Sequence, residues 1–235
     1  MGQQEDREGR SPGLSRALVV QAALGLIDED GLQNVSMRAV GQRLGVGAMA
    51  LYRYVSGRED LLEAVVATLV GGLRDDLDPQ LTGTWQGYLQ TLAHAVRRVA
   101  VEHSAAFPLI ATRHPAAPWL RPPLRSVDLV EDFLTVLSGQ GFTDQQVADA
   151  YRAFSGFLLG HLLLESAARG ADTAPVEEPF DEGDAQIPQR DGQRDLGDTP
   201  TTRRLRPLLS EDRSDEEFEV GLETLLDRLE MVLSQ

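Results

Sequence analysis

Apolar and polar positions recur with a helical period along most of the chain. Ser15 stands as an N-cap before Leu18, Ala22 and Leu26, joined by Ala23 and Ile27, which predicts a helix to about Glu29 that Asp30-Gly31 stops. A short helix is predicted from Ser36 to Leu44, then a tight link Gly45-Val46-Gly47, then another short helix from Ala48 to Tyr54. Ser56-Gly-Arg-Glu59 reads as a capping box, and Leu61, Leu62, Val65, Val66 and Leu69 carry the fourth helix to about Leu77, before Asp78-Pro79.

Beyond Thr84 the periodic stretches lengthen. Trp85, Leu89, Leu92, Val96 and Val99 share one face of a helix to about His103. Pro115 to Pro123 holds four prolines and is predicted non-helical, after which Leu124, Val127, Val130, Leu134 and Leu137 run to a stop at Gly139-Gln-Gly141. Thr143-Asp-Gln-Gln146 is a second capping box, opening a helix that reaches about Arg169 before Gly170. A short helix from Thr202 to Leu209 follows, and Ser214-Asp-Glu-Glu217 is a third box opening the last helix, with Phe218, Leu222, Leu225, Leu226, Leu229 and Val232. The fold class is therefore all-α, with a small unit at 14 to 78 and a larger one at 79 to 235. Two segments fall outside the pattern: a polar tail, 1 to 13, and an acidic, proline-bearing stretch, about 171 to 200, read as a flexible loop.

Composition narrows the function. The absence of cysteine excludes disulfides, thiolate metal sites and cysteine nucleophiles. The polar start and the lack of a long apolar run predict a protein that is neither exported nor membrane-spanning, working in the cytoplasm. The four histidines (His94, His103, His114, His161) lack metal-ligand spacing, and no phosphate loop or nucleophile motif occurs, so neither an enzyme nor a cofactor is expected.

A formal charge of −15 argues at first against nucleic acid as a partner. Locally the sign reverses: between Gly31 and Arg58 stand Arg38, Arg43, Arg53 and Arg58 with no acid. That same stretch has the layout of a helix-turn-helix, two short helices about a glycine-containing link. Gly41 is small where the helices touch, Gly45 can take the positive φ of the turn, and Leu51 anchors the second helix to Val40 and Leu44. The second helix would present Gly47, Ala48, Met49, Tyr52 and Tyr54 to a major groove, with Arg38 reaching a guanine edge or a phosphate. Ser36 and Arg58, each beside a helix start, suit phosphate contacts.

Residues 15 to 62, above all Leu51-Tyr52-x-Tyr54-Val55 and Arg58-Glu-Asp-Leu-Leu62, resemble the DNA-binding domain of the tetracycline-repressor (TetR) family. A likeness to the tetracycline-repressor branch continues through Trp85-Gln-Gly-Tyr-Leu89, Ala111-Thr-Arg113, Gln140-Gly-Phe142, Leu159-Gly160, Pro200-Thr-Thr202, Pro207-Leu-Leu209 and Phe218-x-x-Gly-Leu-Glu223. The resemblance implies a homodimeric repressor that binds double-stranded operator DNA and is released by a small-molecule inducer. It implies a dimer interface on the long and last helices, here Ala153, Gly156 and Gly160 with Phe218, Leu222, Leu225 and Leu229. The same residues could instead pack within one chain. It also implies an inducer cavity, for which Phe107, Leu109, Arg113, Trp119, Phe133, Phe154, Phe157 and His161 are the candidates. Tetracycline repressors carry a magnesium-binding His where this chain has Leu109, which argues against a metal-tetracycline ligand. The readings that compete are an interaction module whose acidic loop recruits a basic partner, and an activator without induction.

Overall fold

The computed structural model describes residues 14–75, 77, 83–171 and 200–233. The polar tail and almost all of the acidic stretch therefore lie outside the described residues. Among the described residues there are no strands. The elements are α1 (Arg16–Asp30), a 3₁₀ turn (Leu32–Asn34), α2 (Met37–Arg43), α3 (Ala48–Leu51), α4 (Arg58–Asp75), α5 (Trp85–Glu102), α6 (Phe107–Ile110), α7 (Val127–Gly139), α8 (Asp144–Ala168), α9 (Pro200–Leu209) and α10 (Ser214–Leu233).

Helix starts follow their caps. Ser15, Ser36, Thr84 and Ser126 each accept a backbone N–H from three residues on, and Thr143 with Gln146 forms the reciprocal box. The other two boxes close differently. The Ser56 N–H goes to Asp60 Oδ2 at 2.7 Å, one residue beyond Glu59, whose carboxylate turns to Arg125 instead. At α10, Asp212 accepts both the N–H and the hydroxyl of Ser214, so Asp212 and not Ser214 supplies the capping oxygen. The third helix is shorter than its sequence predicts, ending at Leu51 rather than Tyr54. The Tyr54 carbonyl, which a longer helix would offer to residue 58, accepts from Arg16 Nη1 at 2.6 Å. Similarly α7 starts at Val127, leaving Leu124 in the segment before it.

The small unit packs α1 against α2 and α4, and α2 against α3. Val19, Ala23, Ile27, Val40, Leu51, Val55, Leu61 and Val65 form its core. Each such leucine or isoleucine contributes roughly 1.5–3 kcal/mol by leaving water. Val20 and Leu24, off the predicted stripe, are buried as well, so α1 is enclosed on more than one side.

In the larger unit α8 is central, touching α5, α6, α7 and α10. A charged cluster ties three of these helices. Arg97 of α5 donates to both Glu165 oxygens, at 3.0 and 2.9 Å, and to Asp215 of α10, while its guanidinium sits 4.8 Å from the Phe218 ring centroid. Burial alone raises the pKa of the Glu165 carboxyl; Arg97 and Arg169 overcome that and hold it below the ordinary value.

The closest approach in the small unit is at Gly41, where an added Cβ would stand 2.8 Å from the Val46 carbonyl oxygen and 3.2 Å from Ala48 N. Gly41→Ala is therefore expected to lower stability by about 1–3 kcal/mol. Urea denaturation checks this, and an unchanged midpoint would contradict the packing.

Candidate nucleic-acid interface and ligand cavity

The turn between α2 and α3 is held by Gly45 at φ 68° and by Val46 N–H donating to the Gly41 carbonyl at 2.9 Å. This geometry buries Leu51 and Val55 and turns Met49, 79% exposed, and Tyr52, 48% exposed, outward from α3 and its C-cap. Gly47 and Arg38 are exposed and Ala48 is half-buried. Ser36 spends its hydroxyl on the Ala39 N–H as the α2 cap.

The four arginines of the segment divide. Arg43 makes a two-pronged pair with Glu29, at 2.6 Å on each prong, from just outside the acid-free window. Arg58 donates to the Val35 and Leu32 carbonyls at 3.0 and 3.4 Å, which draws the start of α4 onto the entry of α2. Arg38 and Arg53 are exposed and, among the described residues, enter no ion pair. The outward-facing charge is thus smaller than the count of four predicts. Tyr54 is half-buried against the core, so it and Arg58 serve packing more than an outer surface. Arg53 joins the exposed face because α3 stops early, which the helical period did not reveal.

A second clasp secures the exit of α3. Arg16 on α1 takes the Tyr54 carbonyl and both Asp60 oxygens, at 2.7 and 3.3 Å. Its hydrogen bonds, with that from the Ser56 N–H, bring the Asp60 pKa down from 3.8 to about 2.

The larger unit encloses an apolar cavity. Its walls come from five regions: Leu73 near the end of α4, Val96 and Val99 of α5, Ile110 and Leu124 at either end of the proline-rich segment, Leu129 and Phe133 of α7, and Phe154 and Leu158 of α8. The polar lining is the Tyr151 hydroxyl, which donates to the Pro122 carbonyl at 3.1 Å, and Ser155 beside it. Burial pushes the Tyr151 phenol up to about 12, partly offset by the Ser155 hydrogen bond, so the ring stays neutral. The free volume is only about 30 Å³.

Of the sequence candidates, Phe133 and Phe154 meet here, with ring centroids 5.6 Å apart. The others are elsewhere. Trp119 is 73% exposed and Arg113 is exposed, both carried out on the proline-rich segment. Phe107 and Leu109 are buried but do not line the cavity. Phe157 and His161 lie on another side of α8, against Phe218. Tyr151 and Leu73 were missed; Tyr151 sits three residues before Phe154, on the same helical face, which is the signal that could have found it.

The expected dimer set also separates. Phe218, Leu222 and Leu229 are buried inside the chain against α5 and α8, and Leu225 is half-buried. Ala153, Gly156 and Gly160 are exposed along α8 and continue to the exposed Leu164. Val220 and Met231 stand out from α10.

Among the described residues, no helix is long and apolar enough to cross a membrane, and no group of three acids or histidines is placed to hold a metal. A helix-turn-helix head joined through one helix to an all-helical body with an apolar cavity is the architecture of a ligand-responsive DNA-binding regulator. Residues 19–65 match the family described as bacterial regulatory proteins, tetR family, and residues 78–233 match the tetracyclin repressor-like C-terminal domain. The chain belongs to the TetR family of transcriptional regulators: a ligand-responsive DNA-binding repressor and not an enzyme.

Its relatives include the HTH-type transcriptional repressor DrrR1 of Streptomyces coeruleorubidus, 28% identical over 97% of this chain and 81% of that protein. The class D tetracycline repressor of Escherichia coli is 27% identical over 94% and 91% of the two chains. A solved structure of a possible TetR family regulator from Streptomyces coelicolor A3(2) superposes with a TM-score of 0.67 at 30% identity, covering 93% of this chain and all of the other.

The Asp60 clasp sets a pH dependence. Because its folded pKa is depressed, its contribution is complete above the unfolded value near 3.8 and is lost as pH falls toward about 2. Asp60→Asn is expected to reduce stability at neutral pH, and the gap to the wild type should close in that acid window. Thermal melts of both proteins from pH 7 to pH 2 test it; a gap independent of pH would refute the pairing.

Proposed function

We propose that this regulator is a homodimer that holds an operator through two copies of α3 and releases it when an uncharged, largely apolar ligand enters the cavity. The observation that carries the reading is the cavity's composition together with its position: hydrocarbon walls, two hydroxyls, no cation or carboxylate, and one wall supplied by α4, the helix that also builds the DNA-binding core. A charged ligand would enter such a space without a partner at a cost of several kcal/mol, so a neutral, hydroxyl-matching molecule is the class that fits.

On DNA, Met49 and Ala48 read by apolar contact, Tyr52 adds a hydroxyl, and Arg38 and Arg53 reach guanine edges or phosphates. Ser36 and Gly47 lie at the backbone-facing rim. Paired half-sites near one helical turn, about 34 Å, demand a fixed spacing between the two heads. The exposed run Ala153, Gly156, Gly160 and Leu164, with Val220 and Met231, supports pairing through α8 and α10. Such work places the protein with the chromosome, in the cytoplasm.

The test uses operator DNA selected by the wild-type protein from a random duplex library. Arg38→Ala combined with Tyr52→Ala is expected to lower affinity for that duplex by on the order of a hundredfold, with helix content and dimer mass unchanged. Fluorescence anisotropy measures it. Retention of wild-type specific affinity would overturn the assignment of α3 as the reading element.

A further inference from the structure

Between α6 and α7 runs the segment 111–126, which buries Ala117, Leu120 and Leu124 and closes a loop where the Arg125 N–H donates to the Ile110 carbonyl at 2.9 Å. The side chain of Arg125 is buried, 8% exposed, and points across to α4. There Nε donates to Glu63 Oε1 at 2.9 Å and Nη2 to Glu59 Oε2 at 2.9 Å. The third arm lies 3.4 Å from Thr112 Oγ1, and His114 Nε2 stands 3.7 Å from the other Glu63 oxygen. Glu59 and Glu63 are one turn apart on α4, so a single guanidinium grips the first two turns of that helix.

Two further facts give the grip a direction. An open cleft of about 230 Å³ lies beside it, between Val66 and Val70 of α4 and Val127 of α7, so packing there does little to replace the ion pairs. The backbone neighbours of the grip, Ile110 through its hydrogen bond and Leu124 through the chain, are both walls of the apolar cavity. With so little free volume, any ligand of several atoms must push walls outward. Displacing Ile110 or Leu124 displaces Arg125. The same first turns of α4 are bound to the reading head by Arg58 on Val35 and by Asp60 on Arg16.

We propose that Arg125 is the positioning residue that transmits occupancy of the cavity to α4, and so to the spacing of the two heads. This rests on the reading that the cavity controls DNA binding. It assigns a task to a segment that the DNA-contacting and cavity residues alone leave unexplained.

The experiment needs no identified ligand, because a bulky substitution stands in for one. Ser155 faces the cavity, and Ser155→Trp fills it. Four full-length proteins are compared on the selected operator: wild type, Ser155→Trp, Arg125→Gln, and the two together. Arg125→Gln alone is expected to weaken binding by no more than about threefold, since the head keeps its own core. Ser155→Trp is expected to weaken it at least about tenfold when Arg125 is present, and by less than about threefold when it is Gln. An equal loss in both backgrounds overturns the role of Arg125 while leaving the cavity in control. No loss in either background overturns the cavity reading and the inference with it. Circular dichroism and dimer mass accompany every variant; if Ser155→Trp does not fold, Leu158→Phe replaces it with the same expectations.

Discussion

One helix has to satisfy two cores at once. Leu61, Leu62, Val65, Val66 and Leu69 place α4 in the packing of the small unit, and Leu73, one turn further, belongs to the wall of the cavity in the larger one. Because interiors are close-packed and respond to displacement as rigid bodies, a change at one end of such a helix cannot be absorbed locally. Everything that distinguishes this molecule from a small DNA-binding domain with an attached helical body depends on that sharing.

Polar contacts also reach between the units. His103 Nδ1 lies 2.8 Å from Asp28 Oδ2 on α1, and Arg125 bridges to Glu59 and Glu63. By contrast, the body itself is locked by hydrocarbon and by the Arg97–Glu165–Arg169 cluster around α8.

Charge tells the same story at another scale. The net −15 belongs mostly to the body, and within the reading segment two of four arginines are consumed by Glu29 and by backbone carbonyls. What faces outward is an exposed methionine and tyrosine with Arg38 and Arg53. So few cations on that face, and an acidic body behind it, give little long-range attraction for a polyanion.

Much of this was legible in the residue order. The hydrophobic period marked most of the helices, Ser15, Ser36, Thr84 and Thr143 marked starts, and Gly41, Gly45 and Leu51 marked the helix-turn-helix, because caps, turns and periodicity are decided within a few residues. The early end of α3 was not, since it depends on Arg16 reaching the Tyr54 carbonyl from 38 residues away; the Asp60 and Asp212 caps are local, but in each an aspartate neighbouring the expected box takes the N–H. The cavity was little legible: of eight candidates only Phe133 and Phe154 line it, while Trp119 and Arg113 are exposed on the proline-rich segment. Sequence alone thus determined the helices, the reading head and the class of regulator. Tertiary structure decided which aromatic rings converge, which leucines of α10 remain buried in their own chain, and that Arg125 meets Glu63 across 62 residues, because partners so distant are selected by position in space and leave no periodic trace.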